Sequence, residues 1–308
     1  MELLSIVVPC YNEEETVELF FDEIKKILVD FDYEIIFIDD GSEDNTLEKI
    51  INLAESNSNI KYISFSRNFG KESAIYAGMV NATGNLVSII DADLQHPPSL
   101  LIEMIEAIHE GYDVAAARRV SKKGEPFVNS IGSNLFYKLF NTISSMKLVP
   151  GATDFRVMTR QVSDAVLQLS EYNRFSKGIF QWVGFKTKWI DYENVERVAG
   201  ETTWSIWQLF MYSIKAIIAF STIPLSISTV MGFIISMFAF IYLVFIILKY
   251  LLYSDPVQGF ATIMCAILFL GGIQLISIGI LGNYLKNTYN ETKNRPIFIV
   301  KQTNINDM

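Results

Sequence analysis

Along the first half of the chain, short apolar runs rich in β-branched residues alternate with stretches whose apolar positions recur every three or four residues. The runs are Leu3 to Val8, Tyr33 to Asp39, Ile60 to Ser66, Leu86 to Ile90 and Asp113 to Ala117. Between them lie Glu14 to Leu28, Asn45 to Ser56, Lys71 to Ala82 and Pro98 to Glu110, whose spacing predicts amphipathic helices. Strands alternating with helices predict an α/β fold with a mostly parallel sheet covered on both faces. Past Arg118 the alternation breaks down: Phe127 to Ser145 reads as an amphipathic helix, "TDFRVMTR" as a short strand turning into a helix, and Phe185 to Val195 as a strand that closes the sheet.

The second half has a different pattern. Ala216 to Leu248 and Val257 to Leu285 contain no Asp, Glu, Lys or Arg, and each exceeds the ~20 residues a helix needs to cross a bilayer. Thr202 to Phe220 carries Trp204, Trp207, Phe210, Tyr212 and Phe220 among few charges, which suits an interfacial helix. The expected organisation is a catalytic-size domain over 1–200, an interfacial amphipathic helix over 201–222, transmembrane helices over 223–252 and 257–285, and a tail over 286–308. The connection between the membrane helices holds only Lys249, whereas the tail holds Lys286, Lys293, Arg295 and Lys301 and the upstream flank Lys215. By the distribution of basic residues both termini and the large domain face the cytoplasm, in a two-pass protein of the cell membrane. The start, "MELLSIVVPCYNEEE", has no basic segment and turns polar after Val8, unlike a signal peptide.

Composition narrows the function classes. A formal net charge of −9 argues against a nucleic-acid partner, which needs a basic footprint. The two cysteines, Cys10 and Cys265, fall in different parts of the chain and the two histidines are His96 and His109, so neither a disulfide framework nor a zinc site is expected.

The chemistry-bearing residues cluster where strands end. "PCYNEEE" follows the first run, "DDGSEDNT" the second, "SRNFGKES" the third and "DADLQH" the fourth, and in doubly wound sheets ligands bind beyond the carboxyl ends of the strands. In an extended segment Asp91 and Asp93 point to the same side. Two carboxylates that close call for a cation, for which Mg²⁺ or Mn²⁺ with Gln95 as a further oxygen ligand is one reading and a cap on the following helix the other. Asp39 and Asp40 must face different ways, leaving one to accept from a base N–H. Gly70 and Lys71 at a helix start suit phosphate, although the rest of a P-loop is missing. Asp154, after a Pro-Gly turn, is either a turn cap or part of the site.

Taken in order, "VVPCYNEEE", "IDDGSEDNT", "SRNFGKESA", "IDADLQHPP", "TDFRVM", "FQWVGF" and "RVAGETTW", followed by two membrane helices, resemble the polyprenyl-phosphate glycosyltransferases of the inverting GT-A family 2. The likeness spans essentially the whole chain. It implies transfer of one hexose, glucose from UDP-glucose foremost, to undecaprenyl phosphate at the cytoplasmic membrane face, with UDP-GlcNAc, UDP-galactose or GDP-mannose as alternative donors. It also implies that Pro9, Tyr11, Glu13, Asp40, Lys71 and Asp91 hold the nucleotide sugar and that Asp91, Asp93 and Gln95 surround the metal. Asp154 matches the acid proposed as catalytic, and Arg119, Lys122, Ser133 and Arg197 fall at acceptor and phosphate positions.

The chain departs from the family pattern at "KKGEP", where Lys122 and Pro126 replace an arginine-bearing segment, and at Thr203, where lysine is common. An Arg to Lys change loses the bidentate fork. A processive polysaccharide synthase is the rival within the family, but its "QxxRW" element is missing, and a non-catalytic scaffold is disfavoured by intact "DAD", "DDGS" and "TDFR". Homo-oligomerisation stays open.

Overall fold

A computed structural model of the chain describes residues 2–120, 138, 140–142, 144, 147–193, 217–218, 221–253 and 259–305. Lys122, Ser133, Arg197, most of the stretch 127–145 and nearly all of the expected interfacial helix lie outside the described residues.

The expected alternation forms in order: β1 (Leu4–Cys10), α1 (Val17–Ile27), β2 (Tyr33–Asp39), α2 (Thr46–Ser56), β3 (Ile60–Phe65), α3 (Lys71–Asn81), β4 (Leu86–Ile89), α4 (Leu100–His109) and β5 (Val114–Arg119). Then come β6 (Ala152–Thr159), α5 (Arg160–Leu167), α6 (Ser176–Trp182), β7 (Thr187–Tyr192), the long helices α7 (Ile223–Tyr253) and α8 (Phe260–Thr292), and β8 (Val300–Thr303). The eight strands form one sheet in the order β7-β5-β6-β4-β1-β2-β3-β8. Its centre, β3-β2-β1-β4, is parallel, β5 and β7 pair in parallel, and β6 and β8 run antiparallel to their neighbours.

The central strands are apolar on both faces because both faces are covered. Successive residues alternate between two cores: Leu4, Ile6 and Val8 of β1 with Ile35 and Phe37 of β2 pack on one side against Val17, Phe20, Ile24, Leu101 and Met104 of α1 and α4. Val7, Ile36, Ile38, Val87 and Ile89 point to the other side, against Ala74, Ala77 and Met79 of α3, Val162 of α5 and Ile179 of α6. The approach of α3 to β1 requires glycine at position 78, since a Cβ there would lie 2.2 Å from Val7 Cγ1.

Strand β8 was not anticipated. Its register pairs Ile63 with Thr303 and Ser64 with Gln302, and its end is fastened by side chains: Asn304 Oδ1 accepts from Tyr62 N at 2.8 Å and Asn304 Nδ2 donates to Ile60 O at 3.1 Å. Phe298 stacks on Phe65 with ring centroids 5.0 Å apart. The segment after the last apolar helix thus completes the sheet of the domain that precedes the first.

Among the described residues, two segments are long and apolar enough to cross a membrane: Ile223–Lys249 with mean hydropathy 2.7 and Ala266–Thr292 with 1.8. The 33 residues of α8 make a rod of about 50 Å at ~1.5 Å per residue, longer than a hydrocarbon core of ~30 Å. Its last turns are accordingly polar and meet the domain, Glu291 accepting from Tyr172 N at 3.0 Å and Asn173 Nδ2 donating to Asn287 Oδ1 at 3.4 Å, while Tyr284 Oη donates to Ser221 O, just before α7, at 2.6 Å.

Candidate active site

Strands β1 to β4 are parallel, so the loops that follow them emerge at one edge of the sheet. The first two are stitched together. Asn12 N donates to Ser42 Oγ at 3.0 Å, Glu43 N to Asn12 Oδ1 at 2.9 Å and Glu13 N to Thr46 Oγ1 at 2.8 Å. Thr16 Oγ1 donates to Glu13 Oε2 at 2.6 Å, while Tyr11 stands exposed beside them and Pro9 lies within β1.

Asp39 and Asp40 do face different ways, but both are engaged inside the protein. Asp39 accepts from Ser42 N at 3.0 Å and Ser64 Oγ at 2.7 Å. Asp40 reaches across to the third loop, its two oxygens accepting from Phe69 N at 2.6 Å and Gly70 N at 2.9 Å. Burial raises the Asp40 pKa against the pull of these two amides. The two loops approach so closely that a Cβ at Gly41, whose φ is +71°, would lie 2.6 Å from Arg67 C. Glycine supplies both the left-handed backbone and the room.

The fourth loop meets β6. Because β4 and β6 are antiparallel with Ile89 opposite Arg156, carrying the register two residues further sets Asp91 beside Asp154. Positions far apart in sequence therefore share one point of the sheet edge. Lys71, the first residue of α3, reaches between them: its Nζ is 2.7 Å from Asp91 Oδ1, 2.8 Å from Asp91 Oδ2 and 3.0 Å from Asp154 Oδ2. Burial alone would raise the pKa of both acids, but Lys71, helped at Asp91 by His96 and at Asp154 by Lys177 and Arg156, dominates. Asp91 is held at about 2, and Asp154 is held well below the usual carboxylate range. Partial desolvation of the half-exposed Lys71 ammonium opposes its charge, and the two carboxylates more than offset that, raising its pKa.

Asp93 Oδ1 accepts from Gln95 N at 3.2 Å in a turn where Leu94 takes a left-handed φ of 57°. Among the described residues no three His, Cys, Asp or Glu side chains form a cluster able to hold a metal ion unaided. The oxygens of Asp91 and Asp154, already gathered around one cation, are nevertheless the hard donors that Mg²⁺ or Mn²⁺ takes, and such ions complete their shells with water and phosphate.

Four supporting residues were not singled out for the site from the sequence. His96 is buried, with Nδ1 2.7 Å from Tyr192 Oη and Nε2 3.7 Å from Asp91 Oδ2, and it stacks on Phe155 at 5.9 Å. Burial pushes the Tyr192 hydroxyl up to about 12, against the nearby charge of Arg119. Arg156 is 2% exposed; it donates to Thr153 O at 2.8 Å and Asp154 O at 3.1 Å and lies 3.8 Å over the Phe180 ring. Burial lowers its pKa to about 10 while Asp154 and Glu72 hold it up. Glu72, next to Lys71, accepts from Ser176 N at 3.0 Å and from Ser176 Oγ, tying α6 to α3. A lone histidine, a strand tyrosine and a strand arginine carry little signal in one sequence, because their roles come from strands that pair far apart. The expected phosphate residue Arg119 ends β5, its amide donating to Gly151 O at 2.8 Å. Gly151, at φ +79°, makes that contact possible, since a Cβ would meet Arg119 O at 2.3 Å.

Comparison with known proteins places these features in company. The profile of Glycosyl transferase family 2 matches residues 5–167. The provisionally assigned glycosyltransferase CsbB of Bacillus subtilis (strain 168) is 46% identical over 98% of this chain and 92% of its own. The prophage bactoprenol glucosyl transferase homolog of Escherichia coli (strain K12) is 41% identical over 97% of this chain and 98% of its own. Among solved structures, glucosyl-3-phosphoglycerate synthase from Mycobacterium tuberculosis with Mn²⁺, uridine-diphosphate and phosphoglyceric acid is similar at a TM-score of 0.47 and 18% identity, over 70% of this chain and 76% of that one.

Proposed function

This chain belongs to glycosyl transferase family 2, and from that premise we propose that it moves a single glucose from UDP-glucose to undecaprenyl phosphate at the cytoplasmic face of the membrane. The observation that carries the acceptor is that the likeness to proteins named bactoprenol glucosyl transferase runs through the whole chain, both apolar helices included. An isoprenoid chain leaves a bilayer only at ~0.8 kcal/mol per buried CH₂, so an enzyme that serves it must work at the membrane. The pairing of β8 with β3 supports a hairpin that returns the tail to the side of the catalytic domain. The basic residues of that tail favour the cytoplasm for both.

The donor's nucleotide is read at the stitched loops after β1 and β2, with Tyr11 and Glu13 beside it and Asp40 fixing the loop that carries Gly70 and Lys71. Its diphosphate points toward Asp91 and Lys71. Asp91, together with Asp93, Gln95 or Asp154, would hold a divalent cation there, and the ion would supply positive charge for the departing diphosphate. The acceptor phosphate approaches from the side of Arg119 and Asp154 and attacks the anomeric carbon opposite the leaving group, which inverts it. A phosphate monoester has its second pKa near ~6 and is largely dianionic at neutral pH, so it needs no base. Asp154, held ionised far below neutrality, is a poor proton acceptor; its part is to stabilise positive charge at the anomeric carbon and to orient the acceptor with Lys177, on a strand that Arg156 braces through Thr153 O and Asp154 O. Supplying the purified full chain with labelled UDP-sugars, Mg²⁺ and undecaprenyl phosphate tests the reading: glucose is expected in the organic phase, and no organic-soluble label with any donor would reject it.

A further inference from the structure

Lys71 occupies a place that its expected role as a phosphate ligand does not explain. An ammonium has three N–H donors, and three carboxylate oxygens lie within 3.0 Å of Lys71 Nζ: both of Asp91 and one of Asp154. With those donors spent, Lys71 has nothing left for a diphosphate. Conversely, if Lys71 turned away and nothing replaced it, two acids at one point of the sheet edge would face each other with their main counter-charge gone, leaving His96 beside Asp91 and Lys177 and Arg156 beside Asp154.

We propose that Lys71 is a resident counter-ion that holds the Asp91–Asp154 pair before the donor arrives and is exchanged for the divalent cation when the donor binds, turning its ammonium onto the donor's diphosphate. The inference rests on the metal-and-donor reading above and goes beyond it by making metal entry and donor capture one coupled exchange. The surroundings permit such a turn. The Lys71 side chain is 44% exposed, on a flexible four-carbon stem. Its backbone stays put, because Gly70 N is held by Asp40 at 2.9 Å and α3 starts at Lys71 itself. Among the described residues, and apart from Phe69 and Lys71 themselves, no heavy atom lies within 4 Å of a Cβ built at Gly70, at the base of the stem. Asp91 stays in place through the exchange, backed by the His96–Tyr192 pair, with His96 Nε2 at 3.7 Å.

The test is Mn²⁺ binding to the full chain in nanodiscs, followed by the electron paramagnetic resonance of free Mn²⁺, with and without UDP. Without nucleotide, Lys71→Met should bind Mn²⁺ roughly tenfold or more tightly than wild type, the factor expected when one competing charged contact is removed. With Mn²⁺ present, the same variant should bind UDP roughly tenfold more weakly. Mn²⁺ should also raise the melting temperature of Lys71→Met more than that of wild type, since the ion restores the missing charge. Lys71→Gln, which keeps a hydrogen-bonding head without charge, should repeat the result if the methionine variant folds poorly. Unchanged or weaker Mn²⁺ binding by both variants, with normal Mn²⁺-dependent UDP binding in wild type, would overturn the exchange and leave the metal reading standing. UDP binding by wild type that ignores Mn²⁺ and Mg²⁺ alike would overturn both, and would mark Lys71 as the permanent cation of the site.

Discussion

Replacing Asp40 by Asn changes one atom and should unlatch the third loop from the second. The carboxylate is 3% exposed and uses one oxygen for Phe69 N and the other for Gly70 N. An amide has one acceptor oxygen and one donor nitrogen, so one of the two backbone N–H groups loses its partner and faces another donor. Loss of a hydrogen bond to a charged group costs about 1.5–3 kcal/mol. The loop can open without unfolding the sheet, because Phe65 and Ser66 remain held from the other side by Phe298 and by the 2.9 Å bond from Ser66 N to Ile299 O. Most of the cost should therefore appear in the population of the closed loop. At 1.4 kcal/mol per tenfold, UDP affinity should fall roughly ten- to a hundredfold, with a drop of only a few degrees in melting temperature. Calorimetric titration of UDP in the presence of Mg²⁺, beside a thermal melt, separates the two effects. Because the Asp40 pKa is raised, UDP affinity in wild type should also decline on acidification earlier than an ordinary Asp at ~3.9 would dictate. Unaltered UDP affinity in Asp40→Asn would refute the latch, and a global collapse of the fold would show that the loop is not separable.

Asp154→Asn should lower kcat about 10²- to 10³-fold with little change in UDP affinity, and the wild-type acid limb should follow the acceptor phosphate near ~6; a limb that disappears in Asp154→Asn would instead make Asp154 a base. Glu34 is buried and accepts from Ser5 Oγ at 2.5 Å, Thr83 N at 2.7 Å and Lys61 Nζ at 2.6 Å. Burial pushes its pKa up, yet these partners hold it below the usual value. Its contribution is thus present above the unfolded value of ~4.3 and lost as pH falls through the folded one, so Glu34→Gln, costing about 1–3 kcal/mol at neutral pH, should blunt the acid dependence of the melting temperature. Gly78→Ala should destabilise by about 1–3 kcal/mol through its collision with Val7, and adding Val7→Ala should recover part of the loss; additive losses would contradict the packing. Phe298→Ala should speed proteolytic removal of the tail and weaken UDP binding, while a Cys introduced at Ser254→Cys should react with an impermeant thiol reagent from outside intact cells and one at Asn306→Cys should not.

Much of the fold was legible in the pattern of the chain because it is written locally. Short apolar runs rich in β-branched residues mark β1 to β5, helical spacing marks α1 to α4, and two long uncharged runs mark α7 and α8. Strand β8 was not legible: "VKQT" is a short, mostly polar piece of the tail, and only pairing with β3, some 240 positions away as in the bond from Tyr62 N to Asn304, makes it a strand. The site divides in the same way. Asp40, Asp91 and Asp93 stand out because they follow strand ends and Lys71 because it opens a helix after a glycine, whereas the meeting of Asp91 with Asp154 depends on the antiparallel β4–β6 register, which no local spacing encodes. His96, Tyr192, Arg156 and Glu72 act on the site through packing and hydrogen bonds, and composition is silent on both.

The central claim is one sugar transferred to one lipid phosphate. Purified full-length protein in membranes containing undecaprenyl phosphate, given radiolabelled UDP-glucose and Mg²⁺, should yield an organic-soluble glucosyl phospholipid with one glucose per lipid and the anomeric configuration inverted. Label found only in a polymer, or no lipid-linked label with any nucleotide sugar, would contradict it.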